Sequence, residues 1–152
     1  MPRRDVQPLR ELLHRALVRY LTVRPRGFEL VPGDPFRPSV EVVILGHGGA
    51  RTLYEKRRPK CRSLDGLRPV TGDRDRSCAD CPDRPGCVPQ VRIDLIVDRR
   101  PFRLLLAHTS ARAFLVYEAE LRQRGQRLED VTTKITVVNR GSWGELRFAA
   151  RD

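Results

Sequence analysis

The chain has 152 residues, and its 30 Lys and Arg residues outnumber its 19 Asp and Glu residues, so the formal net charge is +11 at pH 7. The length fits one domain over residues 1–152, and 39% hydrophobic residues suffice for one modest core. No apolar run approaches the ~20 residues of a membrane-spanning helix, and residues 1–20 lack the apolar stretch of a signal peptide. These features argue against a membrane-spanning helix and predict a cytoplasmic protein with no membrane partner.

The first predicted element is an amphipathic helix over residues 5–21, where apolar residues recur every three or four positions. Asp5 is a suitable N-cap for it. Residues 24–39 are rich in Pro and Gly, so we expect turns there with one short strand over residues 28–31.

The middle of the chain is predicted to contain a strand hairpin and then a segment without a core. Residues 39–45 and 51–56 have the composition of strands, and Gly46-His47-Gly48-Gly49 between them predicts a glycine-rich turn. Residues 57–90 contain many Pro, Gly, Asp and Arg residues and no apolar periodicity. Because such a segment has no hydrophobic core to fold on, we predict an inserted module that a metal ion holds together.

Residues 91–150 are predicted to form a β-β-α-β-β unit, since two alternating strand pairs flank one helical pattern. In chain order the predicted elements are strands 91–97 and 102–107, a helix capped by Thr109 or Ser110 that runs to about Arg124 with Gly125 at its end, and strands 131–138 and 143–150.

The order of the elements predicts the fold class. No strand–helix alternation indicates a parallel sheet. We therefore predict an α+β fold that is mainly antiparallel β. Its architecture would be a small, partly closed barrel of the oligonucleotide-binding (OB) type, with N-terminal and internal helices and an inserted four-cysteine metal-binding loop.

The four cysteines, Cys61, Cys78, Cys81 and Cys87, all lie within 27 residues and are the strongest signal in the chain. The two residues between Cys78 and Cys81 allow both thiolates to bind one ion from a tight turn. Four thiolates leave no open coordination position, so the predicted ion is a structural Zn²⁺. Basic residues nearby in the sequence would offset the negative charge of the thiolates, namely Arg62, Arg76 and Arg84.

Other interpretations of the cysteines stay open. Two disulfides would need an oxidising compartment, and a thioredoxin-like redox pair would need a surrounding βαβ unit. A 4Fe-4S cluster is the main alternative, because the last three cysteines resemble the triplet of RecB-like and Cas4-like nucleases. Those nucleases also carry an Asp and a Glu-x-Lys set, whereas Glu55 and Lys56 are adjacent here and Asp94 follows the cysteines.

The cysteine segment also resembles a family of small proteins carried by phages and integrative elements. The run Cys61-Arg62-Ser63-Leu64-Asp65-Gly66, the knuckle Cys78-Ala79-Asp80-Cys81-Pro82 and Cys87 match its C-x-S-x-D-G, CxxCP and C elements. The resemblance extends over roughly residues 27–150, and the interval between Cys81 and Cys87 is shorter than expected for the family. The occurrence of the family among replication and recombination genes implies single-stranded DNA binding.

Two surfaces are predicted to contact nucleic acid, the partner that a positive net charge favours first. If Leu146 and Phe148 face the core, strand alternation exposes Trp143 and Arg147 beside Lys134, and aromatic side chains on a basic sheet stack bases. The second surface is Tyr54 with the basic run after it. The alternative for the first surface is that Trp143 caps the end of the barrel. The alternative for the second surface is that the basic run is only solvated and binds nothing. The predicted contacts are Arg51, Tyr54, Lys56, Arg57, Arg58, Lys60, Arg62, Lys134, Trp143 and Arg147.

No arrangement of residues in the chain is typical of a catalytic site, and we predict that the protein is not an enzyme. The three histidines, His14, His47 and His108, stand in no Ser/His/Asp or HExxH spacing. The sequence therefore predicts a non-sequence-specific, single-stranded DNA-binding protein with a structural zinc. The alternative is a non-catalytic zinc-containing subunit of a larger nucleoprotein complex, such as a CRISPR effector or a replication assembly.

Overall fold

A computed structural model describes residues 18–71 and 76–151 of the chain. The strands in these ranges are β1 (Arg19–Tyr20), β2 (Thr22–Arg24), β3 (Gly27–Glu29), β4 (Ser39–Glu55), β5 (Arg58–Ser63), β6 (Pro69–Thr71), β7 (Val88–Val97), β8 (Arg100–Leu106), β9 (Thr132–Asn139) and β10 (Gly144–Arg151). One α-helix, α1 (His108–Gln123), and two 3₁₀ turns (Arg84–Gly86 and Leu128–Asp130) complete the described elements.

Eight of the ten strands form one mixed sheet. Along the main path the order is β1-β8-β7-β4-β5-β6, and β9 pairs with β4 on one side and with β10 on the other. β1 runs parallel to β8, and all other pairs are antiparallel. β2 and β3 form a separate hairpin. The prediction of an α+β, mainly antiparallel β fold is confirmed, and the sheet does not close within the described residues.

The long strand β4 contradicts the predicted glycine turn. Ser39–Glu55 is one strand, and Gly46, Gly48 and Gly49 lie inside it, paired with β7. Its register shifts between Ile44 and Gly46, and such a bulge bends a strand and increases its twist. β4 therefore pairs with β9 at its start, with β7 along most of its length and with β5 at its end.

The hydrophobic core lies on one face of the sheet, under helix α1. Phe114 and Tyr117 of α1 lie against Phe148 of β10, with ring centroids 5.5 and 6.0 Å apart, and His47 of β4 contacts Phe114 edge-on at 5.3 Å. The largest fully buried side chains include Phe28, Phe102, Phe114, Ile44, Ile93, Leu95, Leu104, Leu106, Leu121, Ile135 and Leu146. The apolar alternation in β7, β8, β9 and β10 supplies most of this core, as the sequence predicts.

Helix α1 ends as predicted but begins differently. Gly125 has a φ of +70°, and the N–H of Gln126 donates to the carbonyl oxygen of Leu121 at 2.9 Å, which is a glycine-terminated helix end. The N-cap residue is Ala107, without a side-chain capping bond, so the predicted caps are wrong. The hydroxyl of Ser110 instead accepts a hydrogen bond from the N–H of Leu146 in β10.

The structure describes only the end of the segment for which an N-terminal helix was predicted. Residues 1–17, which hold most of the predicted helix 5–21, lie outside the described residues. Arg19–Tyr20 form β1 beside β8, so the helix does not extend to Leu21 as predicted. None of the described helices has the length and apolar character needed to cross a lipid bilayer.

The predicted module 57–90 is attached to the sheet rather than separate from it. Its first part forms β5 and β6, which extend the sheet beyond β4. The described remainder, residues 76–87, carries three of the four cysteines and only a single 3₁₀ turn.

Candidate metal centre and basic hairpin

The structure brings all four cysteines to one place, although 26 positions separate the first from the last. Cys61, Cys78, Cys81 and Cys87 line a cavity of about 180 Å³. Each of the four thiols is half-buried, and no disulfide joins any two of them. All four side chains line the same cavity, so a single four-thiol site is compatible with the structure.

Cys61 reaches the cavity from strand β5. It pairs with Leu53 of β4, and its thiol donates to the carbonyl oxygen of Thr71 at 3.2 Å. Leu53 and Arg51 line the same cavity. The sheet therefore positions the first cysteine, and β4 supplies part of the wall.

The motif after Cys61 forms a compact loop that leads to the second cysteine. Ser63 donates to the Asp65 carboxylate at 3.0 Å and accepts from the N–H of Gly66 at 2.9 Å. The same carboxylate accepts the N–H groups of Leu67 and Arg68 at 2.8 and 3.0 Å. These hydrogen bonds hold the pKa of Asp65 below its usual range. The bond from the Arg68 N–H has the largest effect, and the bond from the Leu67 N–H has the next largest.

This loop places Cys78 directly. The carbonyl oxygen of Leu67 accepts the N–H of Cys78 at 2.8 Å, which ties the end of the Ser63–Asp65 loop to the start of the knuckle. The serine, aspartate and glycine of the C-x-S-x-D-G motif thus have a structural role, because they turn the chain so that Cys78 meets Cys61.

The knuckle and the last cysteine are held by local hydrogen bonds. The N–H of Cys81 donates to the carbonyl oxygen of Cys78 at 3.4 Å, and Ser77 donates to the carboxylate of Asp80 at 2.9 Å. The 3₁₀ turn Arg84–Gly86 follows, and the N–H of Cys87 donates to the carbonyl oxygen of Arg84 at 3.0 Å. Short turns therefore present the last three cysteines to one cavity.

The cysteine thiols are close enough to affect the pKa of Cys87. Burial raises the pKa of Cys87, and the neighbouring thiols of Cys81, Cys61 and Cys78 raise it further, whereas the Arg51 guanidinium lowers it. Basic side chains surround the cavity, since Arg51, Lys60, Arg76 and Arg84 also line it. Of the three arginines predicted to offset the thiolate charge, Arg62 is the exception, because it points to the other face of the sheet.

The donor set fits a soft, tetrahedral ion. Four thiolates from a sheet strand, a CxxC knuckle and a following turn are the ligand set of structural zinc sites. Within residues 18–71 and 76–151, no three His, Cys, Asp or Glu side chains already stand at metal-binding geometry. The four thiols that share this cavity are therefore the residues that could hold such an ion.

Arg92 of β7 braces the loop from the opposite side. Its guanidinium crosses β4 above Gly48 and donates to the carbonyl oxygen of Leu64. Asp94 lies 3.4 Å from Arg92 and 2.8 Å from Arg103, which fixes the two guanidinium groups. The face of the sheet opposite the core, here called the polar face, therefore helps to hold the cysteine loop.

The predicted basic surface forms a hairpin tip between β4 and β5. Lys56 and Arg57 are the two turn residues, with φ of 50° and 66°, and Arg58 begins β5. Lys60 pairs with Glu55 at 3.5 Å, while Lys56, Arg57 and Arg58 have no ion-pair partner in the described part of the chain. Tyr54 lies next to them with 42% of its surface exposed.

A chain of contacts on the polar face links Tyr54 to a second exposed tyrosine, and we call it the tyrosine relay. Gln90 donates to the Tyr54 hydroxyl at 3.3 Å and accepts from the Thr52 hydroxyl at 2.6 Å. Thr52 in turn accepts from Arg62 at 3.4 Å, and the Arg62 guanidinium lies 4.8 Å from the centroid of the Tyr20 ring.

The other predicted surface does not form one patch. Lys134 and Arg147 share the outer face of β9 and β10, where they pair in register with Ala149 and Thr136. Trp143 precedes β10 and lines a separate cleft with Val23, Leu105, Leu146 and the start of α1. Arg51 is likewise removed from the predicted surface, because it lines the cysteine cavity.

The tyrosine relay on the polar face was not predicted from the sequence. Tyr20 falls in the helical pattern of residues 5–21, so its position beside Arg62 is not predicted. The available signal was the alternation of Gln90, Arg92 and Asp94 with apolar residues in β7, which indicates one wetter strand face.

Comparisons of the chain with family models, with curated proteins and with solved structures give no significant match.

Proposed function

We propose that this protein binds single-stranded nucleic acid, with single-stranded DNA favoured, and does so without reading sequence. The observation that carries the proposal is the basic hairpin tip, where three cations that have no ion-pair partner among the described residues adjoin an exposed tyrosine. Cations of this kind neutralise phosphates, and aromatic rings stack bases of any sequence. The net charge of +11 acts in the same direction by attracting polyanions.

In this proposal a Zn²⁺ ion held by Cys61, Cys78, Cys81 and Cys87 is structural. It would fix β5 and the 76–87 segment, which contain few apolar side chains, against the end of β4. Bound zinc would supply coordination energy for folding and no reaction chemistry, because four thiolates leave no position for water. A 4Fe-4S cluster is the alternative occupant of the same thiols.

We also propose that the sheet forms a partly closed barrel of the OB type. Three strands separate β1 from β5, a span of about 19 Å in a flat sheet, yet Arg62 of β5 lies against Tyr20 of β1. This contact requires a strongly coiled sheet and supports a partly closed, OB-like barrel. The resemblance to the phage and integrative-element family supports a role in DNA replication or recombination of a mobile element.

A second function has one observation in its favour. Leu115 and Val116 of α1 are about half exposed, at 48% and 53%, on the side of the helix away from its buried stripe. An apolar pair in this position is suited to a protein partner. The protein would then be a zinc-containing subunit of a larger nucleoprotein complex, and alone it would bind nucleic acid only weakly.

Fluorescence anisotropy of a labelled oligo(dT) at several salt concentrations tests the proposed function. We expect measurable affinity at low salt, a steep loss of affinity as salt rises, and weaker binding of a duplex of equal length. Absence of binding by the full chain at low salt, or affinity independent of salt, would contradict nucleic-acid binding and favour the subunit function.

A further inference from the structure

The tyrosine relay is the most ordered polar feature outside the metal centre. Its two inner members are buried, since Thr52 is fully inaccessible and Gln90 is 9% exposed. Buried polar groups are retained in folded proteins when they satisfy one another, and Thr52 and Gln90 do so at 2.6 Å. The relay therefore holds fixed positions on an otherwise open face of the sheet.

The two ends of the relay are exposed aromatic rings. Tyr54 is 42% exposed and Tyr20 is 40% exposed. The hydroxyl of Tyr54 is anchored by Gln90, while the Arg62 guanidinium lies over one face of the Tyr20 ring. Tyrosines held in this way lose little conformational entropy when a ligand stacks on them.

We propose that Tyr54 and Tyr20 are two base-stacking positions for one single strand, and that Arg62 binds the strand between them. This inference rests on the proposed function and adds the path of the ligand. The strand enters at the cationic tip formed by Lys56, Arg57 and Arg58 and continues over the polar face.

Arg62 suits the middle position for two reasons. Its side chain has no carboxylate partner within the described residues, so its charge is available to a phosphate. Its guanidinium already lies against an aromatic ring at 4.8 Å, and arginine planes stack on bases in the same manner. The polyanionic ligand is complementary to this charge and to that of the hairpin tip.

The proposed path predicts that removing either tyrosine of the relay weakens oligonucleotide binding, whereas removing an exposed aromatic residue elsewhere does not. Tyr20→Ala and Tyr54→Ala should each weaken binding of oligo(dT) of about 15 nucleotides by roughly 5- to 150-fold, the range measured for loss of one stacked base. The salt dependence should stay unchanged, because no charge is removed. Phe36→Ala is the matched control, since Phe36 is 39% exposed and lies outside the relay, and it should bind as the wild type does.

A photocrosslink on the unaltered chain makes the test independent of folding of the variants. Oligo(dT) that carries 5-iododeoxyuridine is irradiated with the wild-type protein, and the attachment sites are mapped by peptide mass spectrometry. Attachment at Tyr20 and Tyr54 supports the path.

Two results would overturn the path while leaving the proposed function intact. One is wild-type affinity in both tyrosine variants, or an equal loss in Phe36→Ala. The other is attachment at Trp143 with none on the relay. Absence of any binding by the wild type at low salt would instead refute the proposed function itself.

Discussion

Arg92 reaches across strand β4 to the carbonyl oxygen of Leu64, and it does so over a residue that has no side chain. A Cβ atom on Gly48 would lie 3.1 Å from a terminal nitrogen of the Arg92 guanidinium. The loop that Arg92 holds leads from Cys61 to Cys78. One glycine in the sheet is therefore connected, through one arginine, to the geometry of the cysteine cavity.

Gly48→Ala should give a less stable protein than Gly49→Ala, although alanine is normally better than glycine in a strand by roughly 0.5–1 kcal/mol. The added methyl group forces the Arg92 guanidinium to shift by a few tenths of an ångström, which weakens its hydrogen bond to the Leu64 carbonyl, a bond worth about 1 kcal/mol. Gly49→Ala is the control, because nothing lies within 4 Å of a Cβ there. Urea unfolding should show lower stability for Gly48→Ala than for Gly49→Ala, and equal stability of the two variants would contradict the brace.

The glycine stretch also shows why part of the fold could not be predicted. In the sequence, Gly46-His47-Gly48-Gly49 has the composition of a turn. In the structure the bulge before Gly46 bends β4, and Arg92, 44 residues further along, occupies the space above Gly48. Both causes are non-local, so local composition could not reveal them.

The cysteine site was predictable to a different degree at each residue. The spacing of Cys78 and Cys81 is local, and a short interval to Cys87 keeps all three together. Cys61 joins them only through the pairing of β5 with β4 and the Ser63–Asp65 loop. The position of Tyr20 on the polar face could not be predicted, because it depends on the pairing of β1 with β8.

Metal analysis is expected to find one equivalent of zinc in a colourless protein. Serine at Cys61, Cys78, Cys81 or Cys87 should abolish stoichiometric zinc and lower the melting temperature, because a structural zinc contributes to folding free energy. Arg68→Gln, an exposed change in the same loop, should keep both. A brown protein that absorbs in the visible range and contains iron would instead establish the cluster.

Two matched hairpin tips allow a test of the basic surface. The turn residues Asp98 and Arg99 have φ of 49° and 64°, nearly the same as Lys56 and Arg57, and Arg100 begins β8 as Arg58 begins β5. Each tip can therefore lose two adjacent arginines at equivalent backbone positions.

Arg57→Gln with Arg58→Gln should weaken oligo(dT) binding and reduce the slope of log affinity against log salt by about 1.4, since each lost phosphate contact contributes ~0.7 on a single strand. Arg99→Gln with Arg100→Gln removes the same charge at the other tip and should leave the slope nearly unchanged. Equal effects of the two double variants would mean that net charge alone, and not the β4–β5 hairpin, attracts the ligand.

Tyr117→Phe should reveal a buried hydrogen bond and a dependence on alkaline pH. The Tyr117 hydroxyl lies 2.8 Å from the hydroxyl of Thr133, which is fully buried. Phenylalanine leaves Thr133 without this partner, at a cost of about 1–3 kcal/mol. Tyr20→Phe, which removes an exposed hydroxyl, should change stability by less than about 0.5 kcal/mol.

The alkaline behaviour follows from the direction of the pKa shift. Burial raises the pKa of Tyr117 above its ordinary value, and the bond to Thr133 offsets part of this effect. Tyr117 therefore contributes its full stabilisation below about pH 10, the ordinary tyrosine pKa. As pH rises above that value, ionisation of Tyr117 in the unfolded chain removes this stabilisation from the wild type. Tyr117→Phe has no such group, so the difference in unfolding free energy between the two proteins should narrow above pH 10; a constant difference from pH 7 to pH 11 would contradict burial of the hydroxyl.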